Sequence, residues 1–120
     1  MKVIDQNNIP KNRSSMPIFT GGEVKVQPLV NKDITDDLNM GHVHFSAGAR
    51  TKLHIHSRAQ VLLIMSGKGI VATETEENVV TPGMLVHIPT EERHWHGATK
   101  DTAMSHISVM PGGVTTTVVE

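Results

Sequence analysis

Apolar residues in this chain fall in short runs rather than at helical spacing. The runs are "EVKVQPLV" (23–30), "GHVHFS" (41–46), "KLHIH" (52–56), "QVLLIMSG" (60–67), "GIVATET" (69–75), "MLVHIP" (84–89), "AMSHISVM" (103–110) and "VTTTVV" (114–119). They are rich in Val, Ile, Leu and Thr, and glycine or proline punctuates the gaps. Many short strands joined by such turns predict an all-β sandwich or barrel. "TPGM" (81–84) is a turn, with Pro82 pre-set for its first central position and Gly83 free for positive φ. "SGKG" (66–69) reads as a hairpin connection. The first twenty residues form an N-terminal arm of ambiguous structure, and "MPIFTGGEVKV" (16–26) leads into the sheet. No repeat or linker interrupts the pattern, so residues 1–120 are assigned to one domain.

Side chains alternate faces along a strand. His54 and His56 therefore point the same way, as do His94 and His96, with Trp95 opposite. His106, Ser108 and Met110 share a face as well. His42 and His44 are a further same-face pair, but Val43 and Phe45 alternate with them. The apolar pair is expected inside, so His42 and His44 are expected to face outward.

Composition changes this picture in two ways. Only Trp95, Phe19 and Phe45 are aromatic, so aliphatic residues and seven methionines must fill the core. Met40, Met65 and Met84 are read as such filler. The eight histidines all lie between positions 42 and 106. Imidazole is the commonest protein metal ligand. The absence of cysteine excludes thiolate metal sites and cysteine nucleophiles. A net charge of -1 with dispersed signs gives no footprint for nucleic acid or an anionic membrane. No apolar run reaches the roughly 18 residues of a membrane span, and the N-terminus has no apolar signal region, so a cytoplasmic protein is expected.

His-x-His on one strand supplies two imidazoles to one side. Alone, the pair fits two solvent-facing histidines on an amphipathic strand as well as a metal site. Gln60 follows His56 by a short turn, and its carbonyl oxygen is a competent ligand. With His94 on a later strand, metal binding becomes the better reading. His87 matches no ligand position and is taken as structural or exposed. Glu91, Glu92 and Arg93 read as a solvated loop.

"GARTKLHIHSRAQVLLIMSG" (48–67) has the spacing of the first cupin motif, G-x5-H-x-H-x3-4-E-x6-G, with Gln60 in the glutamate place. "GMLVHIPTEERH" (83–94) matches the second, G-x5-P-x-G-x2-H-x3-N, through Gly83, Pro89 and His94. Glu91 replaces its inner glycine and Ala98 its asparagine. Over about residues 40–110 the chain thus resembles the cupin family. The resemblance implies a double-stranded β-helix, or jelly-roll barrel, holding one divalent metal through His54, His56, Gln60 and His94. "GART", "H-x-H-x3-Q" and "HWHGA…TAMSHI" are also similar to the manganese-dependent hydroxynitrile lyases of cupin fold. They are similar too to cupin regions associated with carboxymuconolactone decarboxylase-type proteins. The lyase likeness implies that Gln60 is a ligand and that His96 and His106 line the substrate pocket. Met110 stands where those lyases carry a polar residue.

Three neutral imidazoles and an amide leave a divalent ion at about +2, against about +1 with a carboxylate, in a low-dielectric barrel. Such an ion is a harder Lewis acid and attracts anions. The ligand set suits Mn, then Fe, with Ni, Co or Zn compatible. His96 lies about 7 Å along the strand from His94, a distance suited to a general base rather than a ligand. His106 is the second candidate base. The other reading of either is a core histidine satisfied by a hydrogen bond. Val43, Phe45, Thr51, Met104, Ser108 and Met110 are expected to line an apolar small-molecule pocket. The expected function is Lewis-acid chemistry on a small oxygenated substrate, hydroxynitrile-lyase-like. An Fe(II) dioxygenase cleaving a C–C bond and a non-enzymatic ligand sensor are the alternatives. The β-prone tail must pair with its own sheet or a second chain, and a homodimer is expected.

Overall fold

A computed structural model describes all 120 residues. After a short 3-10 turn at Gln6–Asn8 come thirteen strands. They are β1 (Asn12–Arg13), β2 (Phe19–Thr20), β3 (Val24–Val30), β4 (Leu38–Phe45), β5 (Arg50–Thr51), β6 (His54–His56) and β7 (Gln60–Gly67). The rest are β8 (Gly69–Ala72), β9 (Glu77–Val80), β10 (Leu85–Ile88), β11 (Trp95–Ala98), β12 (Met104–Pro111) and β13 (Thr116–Val118). One sheet runs β1-β3-β4-β12-β7-β10, a second β2-β5-β11-β8-β9, and β13 pairs with β6. Every pairing is antiparallel. The two large sheets form the jelly-roll barrel, a double-stranded β-helix.

The core lies between them. Val24, Phe45, Ala49, Leu62, Ile64, Val71, Val80, Ile88, Ala98 and Met104 form one buried cluster. On β7 the alternation is plain: Gln60, Leu62 and Ile64 are buried, while Val61 and Leu63 are half-buried on the other face. Truncating the fully buried Leu62 to alanine is expected to cost about 2–5 kcal/mol.

Several expectations are corrected. "SGKG" is not a hairpin, because β7 and β8 belong to different sheets. Both edges of β7 are already occupied, by β12 and β10. The chain instead turns a corner at Gly67, at φ 77°, where a Cβ would collide with the Ala103 carbonyl. Met65 and Met84 are 40% and 47% exposed, not core filler. Met65 is the extra residue of a β-bulge, since Ser105 pairs with Ser66 and His106 with Ile64. Strand β9, "ENVV", was not expected, and its first three residues are exposed. The "TPGM" turn is present, with the Met84 N–H donating to the Thr81 carbonyl at 3.1 Å. The C-terminal tail pairs within its own chain as β13.

Candidate metal centre

Strand β6 is held on both sides by backbone. Thr116, Thr117 and Val118 pair with His56, Ile55 and His54. On the other side His54 and His94 exchange both backbone hydrogen bonds, at 2.9 and 3.1 Å. A directly opposed pair brings side chains close, and the His54 and His94 rings lie 4.2 Å apart between centroids. His56 follows on the same face of β6. The loop before His94 is fixed by the Glu91 N–H, which donates to the His56 carbonyl at 2.9 Å. Glu91, in the place of the motif's glycine, sits at φ 65°, in the left-handed region that glycine adopts without strain.

The three rings are oriented alike. His54 Nδ1 donates to the Lys52 carbonyl at 2.7 Å, and His94 Nδ1 to the Glu92 carbonyl at 2.8 Å. A carbonyl only accepts, so each ring carries its proton on Nδ1 and leaves Nε2 with a free lone pair. His56 Nδ1 meets Thr116 Oγ1 at 2.8 Å. The ligand atoms of His54, His56 and His94 all lie within 4.8 Å of one another. His56 Nε2 and His94 Nε2 are buried with no hydrogen-bond partner. Buried polar atoms without partners are rare, and converging lone pairs oriented from behind are what a metal requires. The donor set fits a divalent ion.

Protonation does not compete at neutral pH. Burial, then the nearby His94, hold His54 down to about 3 and His56 to about 4. Burial also lowers His94. All three are neutral and available as Lewis bases.

Gln60, the first residue of β7, faces the same cavity. Its Nε2 donates to Ser108 Oγ at 2.9 Å, while its Oε1 is buried without a partner. The amide is thereby turned with its oxygen free. His96 and His106 are both buried, and His106 Nε2 lies 3.0 Å from His96 Nδ1. One of the two must donate and the other accept. Burial, then the neighbouring His106, drives His96 well below its usual pKa, and burial lowers His106 to about 3. His96 is 5.5 Å from His54 and 5.7 Å from His94 between ring centroids.

His54, His56, His96 and His106 open on a cavity of about 180 Å³, which His94 does not line. Val43, Thr51, Ser108 and Met110 line it. Phe45 and Met104 do not: both are 2% exposed and packed in the core. Phe45 backs the histidine pair instead, its ring 5.3 Å from His106 and 6.0 Å from His96. Sequence reasoning missed four lining residues: Met16, Ile18, Phe19 and Thr116. The only signal for the first three was an apolar cluster around Pro17; nothing marked Thr116. His87 is exposed. His42 and His44 point away from the barrel interior, but not into solvent. His42 Nδ1 meets Gln6 Oε1 at 2.8 Å and its Nε2 meets Ser105 Oγ at 2.9 Å. His44 Nε2 donates to Gln27 Oε1 at 2.8 Å.

Residues 41–110 match the family model described as the cupin domain. The chain belongs to the cupin family. This cupin is 36% identical over 94 residues to an (R)-mandelonitrile lyase of Granulicella tundricola, covering 76% of this chain and 70% of that one. It is 27% identical over 93 residues to a dimethylsulfoniopropionate lyase of Ruegeria pomeroyi, covering 76% of this chain and 60% of that one. Among solved structures, a cupin-like protein of Thermotoga maritima superposes with a TM-score of 0.81 at 30% identity, over 90% of this cupin and 86% of the other chain.

Proposed function

We propose that this cupin is a metal-dependent lyase acting on a small oxygenated substrate, of hydroxynitrile-lyase type. The observation that carries the reading is the convergence of the His54, His56 and His94 ligand atoms within 4.8 Å of one another, with His56 Nε2, His94 Nε2 and Gln60 Oε1 buried and unpartnered, beside a cavity that His56, Gln60 and the His96–His106 pair line. In this proposal His54, His56, His94 and Gln60 hold one divalent ion, manganese by preference and then iron. Such an ion supplies Lewis acidity, withdrawing electron density from a substrate oxygen. The neutral ligand set leaves its charge at about +2.

The chain's own side chains do the rest. Ser108 holds the Gln60 amide with its oxygen toward the site. His96 takes the substrate's hydroxyl proton, and His106, 3.0 Å away, holds the ring and shares the charge. Burial makes His96 a weak base, so it accepts a proton only from an acidified hydroxyl. As that proton moves to His96 the C–C bond to the nitrile would break, the carbonyl would form, and cyanide would leave with the electron pair, to be released as hydrogen cyanide when His96 returns the proton. Both curated relatives described above carry the name lyase, which supports a bond-breaking step without oxidation.

The test is cyanide and carbonyl release from a panel of cyanohydrins by manganese-loaded and iron-loaded protein. His96→Ala is expected to keep its metal and lose about 10²–10⁴-fold in turnover. Oxygen uptake without cyanide release would replace the lyase reading with a dioxygenase one. We also propose a homodimer. Val79 and Leu85, 57% and 64% exposed on the outer strands β9 and β10, offer apolar surface for it. A monomer by sedimentation at micromolar concentration would exclude that arrangement.

A further inference from the structure

The apolar side of the cavity comes largely from outside the region that matches the family. Met16, Ile18 and Phe19 join Val43 and Met110 as its hydrophobic lining. The first three precede residue 41, where the cupin match begins. The polar side, with His54, His56, Gln60, His96 and His106, lies within it.

Residues 16–19 are a built wall rather than a loose flap. The Lys52 N–H donates to the Ile18 carbonyl at 2.7 Å, and Phe19 pairs with Thr51 in the second sheet. The Phe19 ring meets the core Phe45 edge-on at 6.0 Å. Just beyond, Gly21 and Gly22 press against the loop after β4. A Cβ on Gly21 would lie 2.6 Å from the Gly48 carbonyl oxygen, and one on Gly22 2.6 Å from Ser46 Oγ. On the other flank, Asn12 and Arg13 pair with Val26 and Lys25, and the Ser14 N–H donates to the Val24 carbonyl at 2.8 Å. Both ends of the segment are therefore pinned to the barrel. The rim residue Met16, 62% exposed, marks the mouth.

We propose that residues 16–19 are the specificity-determining wall of this cavity, and that they select a substrate with a short aliphatic tail. The proposal rests on the metal-site reading above. A polar head faces His54, His56 and Gln60, and the tail lies against Ile18, Phe19, Val43 and Met110. The cavity of about 180 Å³ is small beside the roughly 300–1,000 Å³ of ordinary ligand pockets, so it takes a compact head and a short tail. Each buried methylene multiplies affinity about fourfold until the wall is reached.

The test uses straight-chain hydroxamates, whose head chelates a divalent metal and whose tail length is free. Manganese-loaded protein is titrated with acetohydroxamate, butanohydroxamate and octanohydroxamate. Binding is read by calorimetry and by the ¹³C-methyl shifts of its methionines. Affinity is expected to rise tenfold or more from acetohydroxamate to butanohydroxamate and to stop rising at octanohydroxamate. Met16 and Met110 shifts move; those of the exposed Met65 and Met84 do not. Ile18→Phe is expected to weaken butanohydroxamate at least tenfold while acetohydroxamate changes less than twofold and metal content is unchanged. Ile18→Ala moves the optimum to a longer tail, and its thermal melt checks that it folds. A length profile unaltered by both variants, or one equal factor at every length, overturns the proposal. If no hydroxamate binds the parent, the metal-site reading fails. The wall is then read with n-alkanols on metal-free protein, where the absence of a length optimum overturns it.

Discussion

Two strands of this protein carry the same His-x-His pattern and put it to opposite uses. On β4, His42 and His44 stack with ring centroids 4.1 Å apart on the outer face of the barrel. Side-chain partners reach them there: Gln6 and Ser105 take both nitrogens of His42, and Gln27 takes one of His44. On β6, the partners of His54 and His56 occupy Nδ1 only. The far nitrogens turn inward, where His94 brings a third. The difference teaches that spacing selects a face and no more. What distinguishes a ligand from a structural histidine is a lone pair oriented from behind and left without a partner.

The largest expected effect comes from exchanging the two pairs under the same substitution. His54→Ala should weaken metal binding by at least about 100-fold, beyond the 10–100-fold loss typical when a mere supporting partner is removed. His44→Ala should keep a full complement of metal. His42→Ala should also keep it, while destabilising the fold by about 1–3 kcal/mol through the two lost hydrogen bonds to Gln6 and Ser105. Elemental analysis and urea unfolding of the purified variants check both halves. Loss of metal from His44→Ala would erase the distinction between the pairs.

Acid should also separate them. Burial, then His42, Lys11 and Lys25, hold His44 down to about 4, and burial with Lys11 lowers His42. The folded state therefore keeps these rings neutral while the unfolded chain protonates them below 6.5. The unfolded state binds more protons there, so stability falls as pH drops. Metal-free protein should show a flat urea midpoint above pH 6.5 and a decline toward pH 4. The double variant His42→Gln with His44→Gln should flatten part of that decline. Metal loading should raise the midpoint in the parent and the double variant alike without steepening the decline well above pH 4, because burial already keeps His54 and His56 unprotonated in the metal-free fold, at about 3 and about 4. A double variant with the parent's slope would remove the outer pair from the acid response.

A smaller effect tests the support behind the inner ring. Thr116→Val keeps the shape but removes the oxygen facing His56 Nδ1. Metal affinity should fall about tenfold, with the other two ligands intact. Gln6→Ala, the matching change on the outer pair, should leave metal affinity untouched. Calorimetric titration of the two variants gives the contrast directly.

Much of this contrast was legible in the chain, and the rest had physical reasons to be hidden. Period-2 alternation put His54 with His56 and His94 with His96 on shared faces, because strand geometry is local, while the inward placing of those faces, of Gln60 and of His106 came from the likeness to the cupin motifs. The partners of His42 and His44 were not legible, because Gln6 lies in an arm 36 positions from His42 and the pairing of β3 with β4 brings Gln27 beside His44. The same holds for Ile18 and Thr116 in the cavity wall, which strand pairing across the barrel brings in. Phe45 was misplaced by its chemistry. An aromatic beside a site was read as lining, but β4 is central in its sheet and buries that ring behind the histidines. Met65 was misread because a bulge is invisible to a binary pattern.

The least effect, and the sharpest test of how the inner cluster tolerates sequence change, lies at Glu91. The inner strand depends on the loop before His94, whose motif glycine is missing, yet the backbone there stays at φ 65°. A non-glycine residue in that region costs roughly 1–2 kcal/mol, while glycine loses more entropy on folding, by roughly 0.5–1 kcal/mol. The two terms oppose, so Glu91→Gly should stabilise the fold by no more than about 1.5 kcal/mol. The Glu91 N–H that bonds the His56 carbonyl is backbone and survives the change. Metal affinity should therefore stay within about twofold, since the glycine restores a conformation already present. A tenfold gain in metal affinity would show instead that Glu91 distorts the loop, and that inner and outer pairs differ in strain as well as in partners.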